Sequence, residues 1–252
     1  KPDWVGYVHI LLGYGPNCAR QSGEYLTLEG QVGPSGMGWA ILGGRDLDGD
    51  QIDDLVLGAP HAVIGGNVSG LFFAILGAEL AALQAADMFR PLVNGSLDPD
   101  ELIPWPVDLS TSEAHFGPRG QVNIRSGVSG RPNTNGSWSI ERFGSALTWV
   151  PGIGDHGVGV AVGSHRQDIG TADNAGEIII YEWVDDPDNG KHFQVKGRMV
   201  GDTKVPNGAF GSNLTGGTVN GLPTVGVGAP WASPQDVEDQ VQNGAGYLLK
   251  MR

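Results

Sequence analysis

Apolar residues along this chain fall in short runs that begin or end at glycine, and the same runs return in the same order. Leu55-Val56-Leu57-Gly58-Ala59-Pro60 is echoed by Val160-Ala161-Val162-Gly163-Ser164-His165 and by Val225-Gly226-Val227-Gly228-Ala229-Pro230. Runs this short, rich in β-branched residues and bounded by Gly and Pro, predict buried strands and not helices. Upstream of each lies a bulky residue followed by glycine: Met37-Gly38-Trp39-Ala40-Ile41-Leu42, Phe143-Gly144-Ser145-Ala146-Leu147 and Phe210-Gly211-Ser212-Asn213-Leu214. Downstream of each comes a glycine-led run: Gly70-Leu71-Phe72-Phe73-Ala74-Ile75, Gly176-Glu177-Ile178-Ile179-Ile180-Tyr181 and Gly246-Tyr247-Leu248-Leu249-Lys250-Met251, with a further copy at Gly6-Tyr7-Val8-His9-Ile10-Leu11. Outer strands are weaker but visible at Glu24-Tyr25-Leu26-Thr27-Leu28 and His192-Phe193-Gln194-Val195-Lys196-Gly197.

The repeating unit is therefore four antiparallel strands. Four-stranded units recurring at roughly 40 to 70 residues mark propeller blades, whose radial packing protects the sheet edges. A sandwich would account for strands and turns but not for the recurrence of the same glycines in the same order. The pattern divides the chain into a blade end (1–30), a blade (36–110), a second blade (142–200) and a last blade (209–252). Residues 79–140 separate the first and second units by more than the second and third are separated, so this stretch is expected to hold the first blade's outer strand plus an insertion. Within it, Ala81 to Phe89 reads as helical and Pro104-Trp105-Pro106 as extended, while Phe116-Gly117 lies too near Phe143 to open a further blade.

One connection carries a metal-ligand pattern. In Asp46-Leu47-Asp48-Gly49-Asp50-Gln51-Ile52-Asp53-Asp54, alternating carboxylates on a tight loop can converge on one cation, and calcium takes six to eight hard oxygen ligands without strict geometry. An EF-hand is excluded because its twelfth loop position supplies a bidentate Glu, whereas that position here is Leu57 within an apolar run. The competing reading is a solvated acidic turn without metal. Trp149-Val150-Pro151-Gly152-Ile153-Gly154-Asp155-His156 and Gly216-Gly217-Thr218-Val219-Asn220-Gly221, at the corresponding places, lack the carboxylate ladder, so a single loop-bound calcium is expected. Asp185-Asp186-Pro187-Asp188-Asn189-Gly190 reads as a hairpin turn.

These residues resemble FG-GAP repeats, named for the Phe-Gly and Gly-Ala-Pro pairs, and the likeness covers nearly the whole chain outside residues 79–140. The resemblance implies an all-β, integrin-like β-propeller, commonly seven-bladed and closed by an N-terminal strand that joins the last blade. On that basis the chain is expected to be a partial propeller, two full blades between two incomplete ones, because it opens and ends on a glycine-led strand. The family pattern also implies that the side chains of Asp46, Asp48, Asp50 and Asp54 and the carbonyl of Ile52 ligate Ca2+, with Asp53 turned away. Gln51 departs from that pattern, since glycine is usual there and eases the turn.

Composition narrows the partners. Forty-two Gly and 16 Pro among 252 residues, without a three-residue period, call for many tight turns. A net charge of −13 repels phosphate backbones and anionic lipid, so nucleic acid is not an expected partner. No apolar run nears the roughly 18 to 20 residues of a membrane span. Glycosylation triplets at Asn67, Asn94, Asn135 and Asn213 favour a secreted or cell-surface location, although Asn, Gly and Ser are also turn residues. Cys18 is the single cysteine, so no disulfide forms within these residues; the expectation is either a partner thiol elsewhere, including on a segment outside this sequence, or a buried, inert thiol.

No catalytic set is legible: there is no Gly-x-Ser-x-Gly elbow, His-Glu-x-x-His helix or phosphate loop. His61 and His165 follow corresponding strands and read as blade-end hydrogen-bonding groups, and Trp39, Trp149 and Trp231 as space-filling residues or sugar platforms. Three functions suit such a chain. The first is the non-catalytic propeller of a glycosylphosphatidylinositol-specific phospholipase D-like protein, suggested by the run from Asp53 to His61, with any hydrolase site before Lys1. The second is an adhesion or lectin propeller that recognises protein or glycan on one rim. The third is a structural subunit of an extracellular glycoprotein assembly, held to remaining blades or a partner chain. Fold alone does not choose among them.

Overall fold

The computed structural model describes residues 6–12, 23–29, 35–64, 67–68, 70–85, 89–91, 103–104, 142–186, 190–202, 207–232 and 244–251. In chain order these form β1 (Tyr7–Leu12), β2 (Glu24–Glu29), β3 (Ala40–Arg45), β4 (Asp54–Ala59), β5 (Val63–Ile64), β6 (Asn67–Val68), β7 (Leu71–Ile75), α1 (Gly77–Ala85), β8 (Arg90–Pro91), β9 (Ile103–Pro104), β10 (Ala146–Pro151), β11 (Val158–Ser164), β12 (Glu177–Asp186), β13 (Gly190–Val200), β14 (Asn213–Val219), β15 (Leu222–Ala229) and β16 (Ala245–Lys250). The architecture is all-β, built of small, mainly antiparallel sheets ordered β1-β2-β8, β3-β4-β7, β10-β11-β12-β13 and β14-β15-β16, with a short β5-β6 ribbon. Among the described residues no sheet closes on itself.

Strand alternation explains how the sheets stack. In β7, Phe72 and Ala74 face one core, whereas Leu71, Phe73 and Ile75 face another; in β12, Ile179, Tyr181 and Trp183 divide from Ile178 and Ile180 in the same way. One core lies between the β1-β2 and β3-β4-β7 sheets, around Val8, Leu28, Leu57 and Phe73. The next lies between the β3-β4-β7 and β10–β13 sheets, around Val56, Phe72, Val160 and Tyr181. A third joins the β10–β13 and β14–β16 sheets through Ala161, Ile180, Val225 and Val227. A middle sheet buried on both faces needs apolar residues at consecutive positions, which is why its strands read as unbroken runs and not as alternation.

The junctions repeat in detail. Gly38, Gly144 and Gly211 all have positive φ (86°, 86° and 88°), and the residues two places before them, Gly36, Arg142 and Ala209, do so as well (61°, 55° and 53°). Their N–H groups donate to the carbonyls of Gly58, Gly163 and Gly228, each at 3.0 Å. Gly70 forms a parallel bridge with Phe143 and Gly176 forms one with Phe210, so each glycine-led strand begins against the bulky-Gly pair of the following unit. A Cβ on either glycine would strike the backbone of that Phe, which fixes glycine at the crossing.

The helix expected over Ala81 to Phe89 begins earlier, at Gly77. The Glu79 side chain accepts the Leu76 N–H at 3.3 Å while the Glu79 and Leu80 N–H groups donate to the Leu76 carbonyl, an N-terminal cap that starts the helix directly after β7. Leu80 and Leu83 pack on the first core, and Phe89, outside the helix, is buried in it. The β3-β4-β7 sheet has three strands among the described residues; β8 and β9 instead pair with β2, antiparallel and parallel respectively. The outer strands at Glu24–Glu29 and Gly190–Val200 pair with β1 and β12. β12 and β13 pair as far as Asp186 with Gly190, on either side of the acidic segment read as a turn. Most of residues 79–140, including the Phe116-Gly117 pair, and Cys18 lie outside the described residues.

Candidate functional site

The acidic loop is the connection between β3 and β4, and its placement follows from one apolar residue. Leu47 is fully buried in the core shared by the first and second units, which pins the loop start and leaves Asp46 and Asp50 towards solvent, with Asp48 largely buried. One ligand oxygen from each of Asp46, Asp48 and Asp50 lies within 4.8 Å of the others. The loop's own amides hold these carboxylates in place: Asp46 accepts the N–H of Gly49 (2.7 Å) and of Gln51 (2.8 Å), Asp48 that of Asp50 (3.3 Å), and Asp50 that of Ile52 (2.8 Å). Gln51 sits at φ 70°, so the position does require the left-handed conformation for which glycine is suited.

Asp54 differs from its neighbours. It is completely buried, and its two carboxylate oxygens accept the Leu47 N–H (2.6 Å) and the Gly77 N–H (2.7 Å). It thus ties the loop to the start of α1, and it stands outside the cluster of three mutually close carboxylates. Burial leads in pushing its carboxyl up to about 6; the charges of Asp48 and Asp50 add to this, and the two amide donors oppose it. The unfolded group ionises near 3.8, so the fold binds the extra proton between about 4 and 6, and ionisation weakens the cation-free fold as pH rises through that window. A cation at the loop would offset that loss. An all-oxygen set of clustered carboxylates suits a hard divalent ion such as calcium.

The second unit closes over this loop. The His156 ring, in the β10–β11 connection, lies so close to Gly49 that a side chain there would collide with Nδ1 and Cε1. Beside it a cleft of about 700 Å³ runs along β3, β10 and β14, with Arg45, Asp46, Thr148, Trp149, His156 and Thr215 on its walls. The half-buried Trp149 donates its indole N–H to the Gly43 carbonyl at 2.9 Å, so its polar edge joins two sheets. At the equivalent place in the third unit the chain turns in two residues, Asn220 and Gly221 (φ 53° and 76°), with no room for a ladder of carboxylates.

Compared with known proteins, the chain matches no family model and no curated protein sequence. Its chemistry therefore rests on its own residues.

Among the glycosylation triplets, Asn213 opens β14 and is exposed, and Asn67 opens β6; Asn94 and Asn135 lie outside the described residues. Trp39 and Trp231 are about half exposed, Trp39 meeting the His61 ring edge-on at 5.5 Å. Ser145 Oγ and His165 Nδ1 are 2.9 Å apart. Sequence reading passed over Arg142 and Arg166, whose charges reach both histidines; only their positions relative to the repeat could have singled them out. Burial, then the charges of these arginines, lowers His165 to about 4. The unfolded His165 gains a proton near 6.5 and the folded one only near 4, so its contribution to stability is lost as pH falls across that interval. In phosphate- and sulfate-free buffer, the His165 ring resonances should stay in their neutral positions from pH 7.5 to about 5. A midpoint near the ordinary value would show that the ring is not shielded.

Proposed function

We propose that this chain is a calcium-stabilised extracellular binding scaffold, an FG-GAP-type β-propeller segment serving as a non-catalytic module of a glycosylphosphatidylinositol phospholipase D-like protein. The observation that carries the proposal is the acidic loop, which joins the far ends of a strand pair whose glycine junction is repeated. Three carboxylates lie within one cation's reach, on a loop whose neighbouring strands recur with the same glycine conformations and the same 3.0 Å bonds. Stacked sheets that share cores in sequence order also suit blades. The ion's role here is to neutralise crowded carboxylates and hold the β3–β4 connection, and the rim loops then present ligand contacts to protein or glycan. The phospholipase D-like assignment is supported by the Asp53–His61 run, which joins the loop to a Gly-Ala-Pro strand and a histidine.

Calcium is the direct test. At saturating calcium and pH 7.5 the melting temperature should rise by about 5–10 °C over chelated protein, since a ligand at a hundred times its Kd adds about 2.7 kcal/mol. The rise should shrink at pH 4.5, where Asp54 is protonated in the fold. Asp48→Asn keeps the loop's hydrogen-bond acceptor but removes one charge, so it should lose most of the calcium response while leaving the chelated protein equal or slightly more stable. An identical melting curve with and without calcium for the unsubstituted chain would reject the proposal.

A further inference from the structure

At one end of the sheet stack, the turns after β4 and β11 and the turn before β10 bring four basic side chains together. His61 follows the end of β4, His165 and Arg166 follow the end of β11, and Arg142 immediately precedes the Phe143 bridge. The Arg142 guanidinium carbon stands 5.9 Å from the centre of the Trp39 ring, which in turn meets His61. His165 is held by Ser145 across 2.9 Å. The charges of Arg142 and Arg166 reach both histidines, and that of Arg166 reaches Arg142. Burial and these like charges lower all three of Arg142, His61 and His165 in their readiness to hold a proton.

Neither Arg142 nor Arg166 forms a salt bridge with a described residue, although the chain carries a net charge of −13. Arg142 Nε is buried and has no hydrogen-bond partner. The cluster is also peculiar to this junction. The place of Arg142 is taken by Gly36 and Ala209 in the other units, that of His165 by Pro60 and Pro230, and that of Arg166 by His61 and Trp231. Arg142 even holds a positive φ of 55°, an unfavourable conformation for a residue with a side chain. Crowded, partly desolvated cations of one sign oppose folding unless something of opposite charge completes them. Guanidinium groups match tetrahedral oxyanions in charge and fork geometry.

The geometry points to an oxyanion site in which Arg142 and Arg166, flanked by His61, His165 and Ser145, hold a phosphate- or sulfate-class group at the junction of the first and second units. It lies at the turns after the second strands, whereas the acidic loop joins the other ends of β3 and β4, so the two sites do not depend on each other. Net negative charge elsewhere on the chain disfavours adventitious anion binding and leaves this cluster as the point of capture.

The test is calorimetric titration of sodium sulfate into the whole chain at ionic strength held constant with chloride, and of glucose 6-phosphate in a second arm. Saturable binding is expected, weakened about tenfold or more by Arg166→Gln and again by Arg142→Gln, because a charge-assisted hydrogen bond is lost in each. Both variants should melt at or above the original temperature in chloride, since each relieves like-charge crowding. Should Arg142→Gln fail to fold, Arg166→Gln carries the test alone. Binding of sulfate but not the sugar phosphate assigns the site to free ions; binding of both assigns it to a group carried on a larger molecule. Either result, lost in the variants, upholds the site. Absence of saturable heat in both arms, or equal affinity in the variants, overturns it.

Discussion

Phe72→Ala should lower the free energy of unfolding by about 3–5 kcal/mol, among the largest losses open to a single side chain in this fold. Phe72 lies in β7 and is wholly buried. Its ring meets Phe143 at 5.7 Å, Tyr181 at 4.9 Å and Phe193 at 4.8 Å, three partners that belong to the second unit and not to its own sheet. Removing the ring therefore empties the space between two sheets, which cannot close without shifting one of them, and the cavity cost adds to the lost transfer energy. Phe72→Leu keeps most of the volume and should lose less than half as much. Urea denaturation checks this through the midpoint at unchanged slope. A loss under about 1 kcal/mol for Phe72→Ala would show that the sheets do not share this core.

Gly144→Ala should be nearly as damaging, for a different reason. Gly144 has φ 86°, and an added Cβ would lie against the Leu71 carbonyl of the preceding unit, a backbone group that cannot swing aside as a side chain could. Gly170 has a comparable positive φ (63°) with nothing within 4 Å of an added Cβ. Gly170→Ala therefore measures the conformational penalty alone, about 1 kcal/mol, and Gly144→Ala should exceed it by about 2–3 kcal/mol from the forced separation of two sheets. Similar losses at both positions would mean that the glycine answers only a turn and not a close crossing of strands.

The repeat was readable because it is written in residue types with few substitutes. Glycine at a positive φ against a neighbouring backbone tolerates no other residue well, so Gly38, Gly144 and Gly211 remained visible through otherwise divergent units. The acidic loop was readable for a similar reason, since alternating carboxylates are rare unless something gathers them. The helix was placed too late along the chain because its start depends on Asp54, distant in sequence, whose carboxylate receives the Gly77 N–H, and on the Glu79 cap. The first blade's outer strand is expected somewhere within residues 79–140, and the strands described there, β8 and β9, pair with β2, a long-range choice that no local propensity encodes.

By itself, then, the sequence determined the all-β class, the order of the strands and the loop with clustered carboxylates, because backbone sterics and strand periodicity act over a few residues. Only the tertiary structure decided which faces share a core, that Asp54 serves the backbone of α1 and the loop together, and that Arg142, Arg166, His61 and His165 gather at one junction. Those outcomes depend on how successive sheets stack. Residues with no local relation become neighbours there, and burial moves the pH at which Asp54 and His165 titrate.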